Sequence, residues 1–337
     1  MTRPNSPPAR SRIAASAWVA RALLLVVVVA ACLWVLRRVD LSAVWSLLRG
    51  VAWRPLAAAV AIYLFVNVTA RVNRWAALLA PLPSQGPAPR FWKLASVVVA
   101  SHAANNVLPG RMGELVRTLQ LRPHYSMSAV VTSQVMEKAI EAASMLVVAL
   151  PVLFLVPAAA RYRAAAVIAL GAIALLVLVA LAFAHAMARR AAPGPSFEPK
   201  GLVQRALSAI QLVLSRAGQA LRLMLDARTW LASLAWSAIA DLADVAIIAL
   251  SMLAVGLQPA LAPCVAVFVA VNLSMLVPST PAQVGVFEAA AVLVLTGFGI
   301  DPSRALGFAI VYHAVHMLPS TLAGVGVLGL RTAAGQR

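Results

Sequence analysis

A chain of 337 residues that is 62% hydrophobic and 11% charged, with a mean hydropathy of +0.89, has more apolar surface than one water-soluble core can hide. Its apolar runs recur at about 20 residues, the length a helix needs to cross the hydrocarbon core, so the chain reads as a polytopic helical membrane protein. The net charge of +18 is nearly all Arg, gathered in loops and at the N-terminus where it suits anionic head groups, and this leaves nucleic acid as a poor partner. The two cysteines, Cys32 and Cys264, lie in separate apolar runs and suggest no disulfide framework.

Residues 1–16, with Arg3, Arg10 and Arg12 among Pro, Ser and Ala, read as a disordered basic cytoplasmic tail, followed by a single transmembrane domain over 17–331. The first span is expected at Ala17–Leu36, and no A-x-A-like cleavage site follows it. Between Asp40 and Trp53, Leu41, Val44, Trp45 and Leu48 recur at helical spacing, as in a helix lying in the interface plane. A second span runs from about Pro55 to Leu79, and its later half carries Asn67, Arg71 and Arg74 at i, i+4 and i+7, on one face. Two Arg on one face turn either toward a cavity or out to the head groups.

After the Pro-rich turn Pro81–Pro89, the apolar run Leu94–Ala104 ends in Asn105-Asn106-Val107-Leu108-Pro109-Gly110-Arg111-Met112-Gly113-Glu114 and continues as an amphipathic stretch with Arg117. The next helix, Ser128 to about Leu155, holds Glu137, Lys138 and Glu141. Glu137 and Glu141 share a face, where like charges repel unless a cation or proton intervenes, and the geometry favours a basic group from another helix. A featureless span is expected at Ala164–Ala186, then a basic cytoplasmic loop at 187–228 with an amphipathic helix over Leu202–Leu225 on the anionic inner leaflet. The span Thr229–Val255 carries Asp241 and Asp244. A second interrupted segment, Pro263–Phe298, contains Asn272, Pro278, Pro281, Gln283, Gly285 and Glu288. The last span, Pro302 to about Leu330, contains His313 and His316, and 332–337 form a basic cytoplasmic tail.

Helices break at membrane depth only where protein or a watery cavity receives the freed backbone groups, and such breaks mark binding sites in transporters. The fold class expected is therefore all-α and polytopic, with about six full transmembrane helices plus two broken or re-entrant helical segments. Loop charge separates two topologies. If residues 91–125 crossed completely, the Arg-rich loop would face outward; as a re-entrant hairpin they return it to the cytoplasm, and the second segment then enters from the outer face. That is an inverted-repeat arrangement.

The residues Arg74-Trp75, Asn106-x-Leu-Pro-Gly-Arg-x-Gly-Glu114-x-x-Arg117, Glu137-Lys138 and Pro278-x-x-Pro-x-x-x-Gly285-x-x-Glu288 resemble the pattern of the lysylphosphatidylglycerol synthase transmembrane (flippase-like) family over nearly the whole chain. Where that pattern reads Pro-Gly-Gly-x-Gly, this chain has Pro281-Ala-Gln-Val-Gly285; Lys138 stands where Arg is usual and His313 where Arg is usual. The resemblance implies a stand-alone member without the aminoacyl-transferase domain, in the bacterial cytoplasmic (inner) membrane with both termini cytoplasmic. It also implies a flippase-like protein that translocates a phospholipid, glycolipid or hopanoid, with membrane lipids, a second copy or a lipid-biosynthesis protein as partners and no cofactor or metal.

Arg71, Arg74, Arg111 and Arg117 are candidates for phosphate, which guanidinium matches well, and Glu137, Lys138 and Glu141 for the same head-group site. Glu114 and Glu288 are candidates for a cationic or hydroxylated head group, or for a coupling proton. Asn105, Asn106 and Gln283 suit freed backbone or sugar hydroxyls, and Pro109, Gly113, Pro281 and Gly285 shape the breaks. The alternative is an integral-membrane lipid-modifying enzyme, a transferase or phosphatase, using Asp241, Asp244, His313 and His316.

Overall fold

A computed structural model describes residues 39–108, 112–155, 226–275 and 280–335, with isolated helical positions between 164 and 182. The N-terminal tail, the first span, most of the span at Ala164–Ala186, nearly all of the loop 187–228, Pro109, Arg111 and the side chain of Pro281 lie outside the described residues. Among the described residues all regular structure is helical.

Among the described residues, three helices are long and apolar enough to cross a membrane: α2 (Trp53–Leu79), α6 (Ala227–Ala254) and the Pro302–Val327 part of α9 (Pro302–Gly335). At 1.5 Å per residue each rises roughly 40 Å, more than the ~30 Å hydrocarbon core. Helices α2 and α6 are antiparallel: Ala52 N donates to Ala254 O at 2.8 Å, while Arg74, far along α2, donates to Ser237 near the other end of α6. Helix α9 starts at the Ala52–Ala254 end, where Arg304 donates to Gly256 O and Asp40 N donates to Ser303 Oγ.

That end also carries the short helix α1 (Leu41–Arg49). Asp40 caps it by accepting from Ser42 N and Ala43 N, and the bonds from Ser42 hold this carboxyl below the usual carboxylate range. Val44 is buried while Leu41 and Trp45 are exposed, and Arg49 lies over the Trp45 ring and Arg54 over Trp53, an amphipathic pairing suited to an interface.

Other elements are shorter: α3 (Phe91–Val107), α4 (Gly113–Leu121), α7 (Leu261–Ser274) and α8 (Val286–Gly297). Helix α5 (Met127–Leu155), which carries Pro151, has 29 residues and is longer than α2 and α6. Helix α4 doubles back on α3, with Gly113 N donating to Asn105 Oδ1 at 2.7 Å and Arg117 Nε to Ser101 Oγ at 3.1 Å. The far ends of the pair are tied as well, since Gln85 N donates to His124 O at 2.7 Å. Gly113 is required here: a Cβ would fall 2.2 Å from Ser101 O.

Helix α3 lies against α9. Asn106 Nδ2 donates to Met317 O, Ser320 Oγ and Thr321 Oγ1, so the break after α3 sits beside the middle of α9. The second break reaches a similar level, with Glu288 beside His313, and its 3₁₀ turn Pro281–Gln283 packs on α3. Helices α3 and α9 approach closely because Gly324 faces Ala103, as small residues permit in membrane packing.

This contact is testable. A Cβ at Gly324 would stand 2.3 Å from Ala103 Cβ, whereas at Gly326 it meets nothing within 4 Å. Gly324→Leu should destabilise the purified protein by about 1–3 kcal/mol of overpacking, read as a lowered melting temperature in detergent, and Gly326→Leu should leave it unchanged.

Candidate functional site

The site begins with a widened turn in α2. Residues Ile62–Asn67 form a π-helical segment, a form frequent at functional sites, and Asn67 at its end is followed by Arg71 and Arg74 on the face turned into the bundle. The Arg side chains therefore point inward rather than out to head groups. Asn67 Nδ2 donates to Ala240 O and to Asp244 Oδ1, and its Oδ1 accepts from Arg71 Nε at 2.7 Å. Arg71 Nη2 pairs with Asp244 Oδ2 at 3.0 Å.

Arg74, 1% exposed, resolves the like-charge problem on α5: its Nη2 lies 2.6 Å from both Glu137 Oε1 and Glu141 Oε1, and Nη1 donates to Ser237 Oγ. The second oxygen of Glu137 receives Arg117 Nη1 at 2.5 Å. Arg117 lies over the Trp75 ring, whose Nε1 donates to Ser133 Oγ. Burial at this depth is tolerated because nearly every oxygen and N–H has a partner. Lys138 differs: it pairs with Glu141 Oε2 at 2.8 Å, yet its side chain is 56% exposed.

These groups wall a cavity of about 270 Å³ between α2, α3, α4 and α5. Its lining combines the charged Arg71, Arg117, Lys138, Glu137, Glu141 and Glu114 with Ser101, His102, Asn105 and Gln134, and Val131 and Val135 supply apolar wall. Gln134 reaches across to Glu114 O and Thr118 Oγ1. The buried Oε2 of Glu114 has no hydrogen-bond partner. The volume suits a head group rather than a whole lipid, because drug-sized pockets begin near 300 Å³.

The second break is built differently. Glu288 Oε2 accepts from Gly285 N at 2.7 Å, and Oε1 lies 2.6 Å from His313 Nδ1, whose ring stacks on Phe287. Gln283 Nε2 donates to Met275 O, which supplies a partner for backbone freed at the end of α7. Gly285 has φ 92°, while Ala282 and Gln283 have φ 53° and 60°. The left-handed path that two glycines would follow freely is thus kept with side chains, at roughly 1–2 kcal/mol per residue.

Among the sequence candidates, Arg71, Asn105, Glu114, Arg117, Glu137, Lys138 and Glu141 meet at the cavity. Arg74 lies behind it, and Asn106 is spent on α9. Gln283, Gly285 and Glu288 sit at the second break, apart from the cavity lining. Asp244 joins Asn67, Arg71 and His316 Nε2, and the Ser144 hydroxyl donates to Asp241. Ser101, His102 and Gln134 were missed in the sequence; Ser101 and His102 precede Asn105 by four and three residues on the same helical face, which is the signal that would have found them.

Removing one partner of a buried ion pair leaves the other uncompensated. Glu137→Gln should therefore cost about 3–5 kcal/mol in denaturant unfolding, whereas Lys138→Ala, at a half-exposed pair, should cost at most about 1 kcal/mol. Ala282→Gly should raise the melting temperature by relieving the positive φ.

Comparison with curated proteins finds no match. A family model described as the lysylphosphatidylglycerol synthase TM region matches residues 20–324, which takes in α1 to α8, most of α9, the cavity and both breaks. Matched over most of its length, the chain belongs to the lysylphosphatidylglycerol synthase TM region family.

Proposed function

We propose that this chain binds a lipid by its head group and carries it across the cytoplasmic membrane of a bacterium. The observation that carries the reading is the cavity, a polar and charged chamber inside an apolar helical protein and beside the first of two facing helix breaks. Head groups resist hydrocarbon as charges do, so a path for them needs such groups at depth. Lys138 and Arg71 are the cavity cations with the most exposed side-chain surface and suit phosphate, while the unpaired Glu114 oxygen suits an ammonium or hydroxyl of the same head group. The acyl chains stay in the bilayer.

Geometry favours re-entrant breaks. Helices of 17, 14 and 12 residues rise roughly 25, 21 and 18 Å, short of the hydrocarbon core. The pair α3–α4 opens toward the N-terminal end of α6 and α7–α8 toward its C-terminal end, as an alternating-access pair would. The Arg-rich loop runs into the N-terminal end of α6, so the positive-inside rule makes that side cytoplasmic, with the loop on anionic head groups. An enzymatic reading has less support, because Asp244, His313 and His316 are already paired with Arg71, Glu288 and Asp244.

The test is lipid movement in vesicles containing the purified chain and dye-labelled phospholipids, with an impermeant quencher outside. The parent should expose inner-leaflet label, and Glu114→Gln and Lys138→Glu should slow it about tenfold, equivalent to roughly 1.4 kcal/mol on the barrier. Parent vesicles no faster than protein-free ones, or variants as fast as the parent, would overturn the reading.

A further inference from the structure

We propose that Glu288 and His313 form a proton-binding site that couples a proton to movement of the second break against α9, so that transport draws on a proton gradient. The inference rests on the transport reading above.

One carboxylate does two things here. Its Oε2 closes the turn through Gly285 N, and its Oε1 holds that turn to α9 through His313 Nδ1. The turn being held is strained, since Ala282 and Gln283 immediately precede it with positive φ. Gln283 holds the turn to Met275 O and Glu288 holds it to α9, so loosening the Glu288 fastening frees the turn on its α9 side.

The chemistry of the partner matters. Glu137 and Glu141 are matched to Arg74, Arg117 and Lys138, and an Arg keeps its proton at every physiological pH. Glu288 is matched to a histidine, the side-chain type that most often serves as a proton switch. The pair is also less enclosed: its side chains are 10% and 15% exposed, against 2% and 2% for Arg74 with Glu137.

The proton balance is simple. A proton from water binds the free ring nitrogen of neutral His313, and the imidazolium attracts the Glu288 carboxylate, fastening the turn. Its loss to water leaves a neutral ring and a weaker hydrogen bond, and the turn is released. The other titratable groups on elements packed against the pair are Cys264 of α7, Arg304, Tyr312 and His316 of α9, and, against the turn, Lys93 and His102 of α3; Asp244 contacts His316.

A nitroxide at Val284→Cys, an exposed site in the turn, reports its motion in the reconstituted full chain carrying Cys32→Ser and Cys264→Ala. Its mobile fraction should rise several-fold from pH 5.5 to 8.5. That response should vanish in His313→Gln and in Glu288→Gln and persist in His316→Gln. A flat response in the parent, or one unchanged in His313→Gln, overturns the proposal. The same vesicles, assayed for lipid movement with and without an imposed pH gradient, separate the two readings. Lipid movement indifferent to the gradient sinks the coupling and leaves transport standing; pH-dependent turn motion without lipid movement sinks transport and with it the coupling, leaving a pH-responsive turn.

Discussion

Everything in the interior depends on Arg74 lying between Glu137 and Glu141. Two carboxylates one turn apart on α5 repel each other, and in hydrocarbon neither has water to dilute the repulsion. A guanidinium from α2 answers both with one nitrogen, and Arg117 from α4 takes the remaining oxygen of Glu137. Three helices are thereby fixed around a charged knot that none could bury alone. The cavity is the space left beside that knot. Both oxygens of Glu137 are engaged, whereas Arg71, Lys138 and Glu114 keep surface or lone pairs turned to the space.

The breaks follow from the same need to satisfy polar groups away from water. After α3, Asn105 takes the N–H of Gly113 and Asn106 ties the chain to three oxygens of α9. After α7, Gln283 takes a carbonyl and Glu288 takes the N–H of Gly285. Asn, Gln and Glu at helix ends thus stand in for the missing turn of helix. The two breaks lie beside the same stretch of α9, which makes that helix the common wall of both units.

Much of this was legible in the sequence, for particular reasons. Helical spacing put Asn67, Arg71 and Arg74 on one face, and the Glu137–Glu141 spacing demanded a cation from elsewhere. Spacing does not say whether an Arg near a helix end turns inward or outward, because that depends on Ser237 and Asp244 of α6, more than a hundred residues away in sequence. The π turn at Ile62–Asn67 has no composition of its own and was not legible. Nor was the pairing of His316 with Asp244 or of His313 with Glu288: the residues stood out, but their spacing on α9 gives no partner. At the second turn, Ala282 and Gln283 in place of glycines argued against a tight backbone path, yet the path is kept because Gln283, Glu288 and the packing on α3 over-determine it.

The most direct measurement is a leaflet-resolved lipid analysis of cells with and without this chain, using an impermeant head-group label before extraction. The account predicts that loss of the chain leaves every lipid class at its normal total while one class loses its outer-leaflet fraction. A lipid class missing altogether, with its precursor accumulating, would contradict it and make the chain an enzyme.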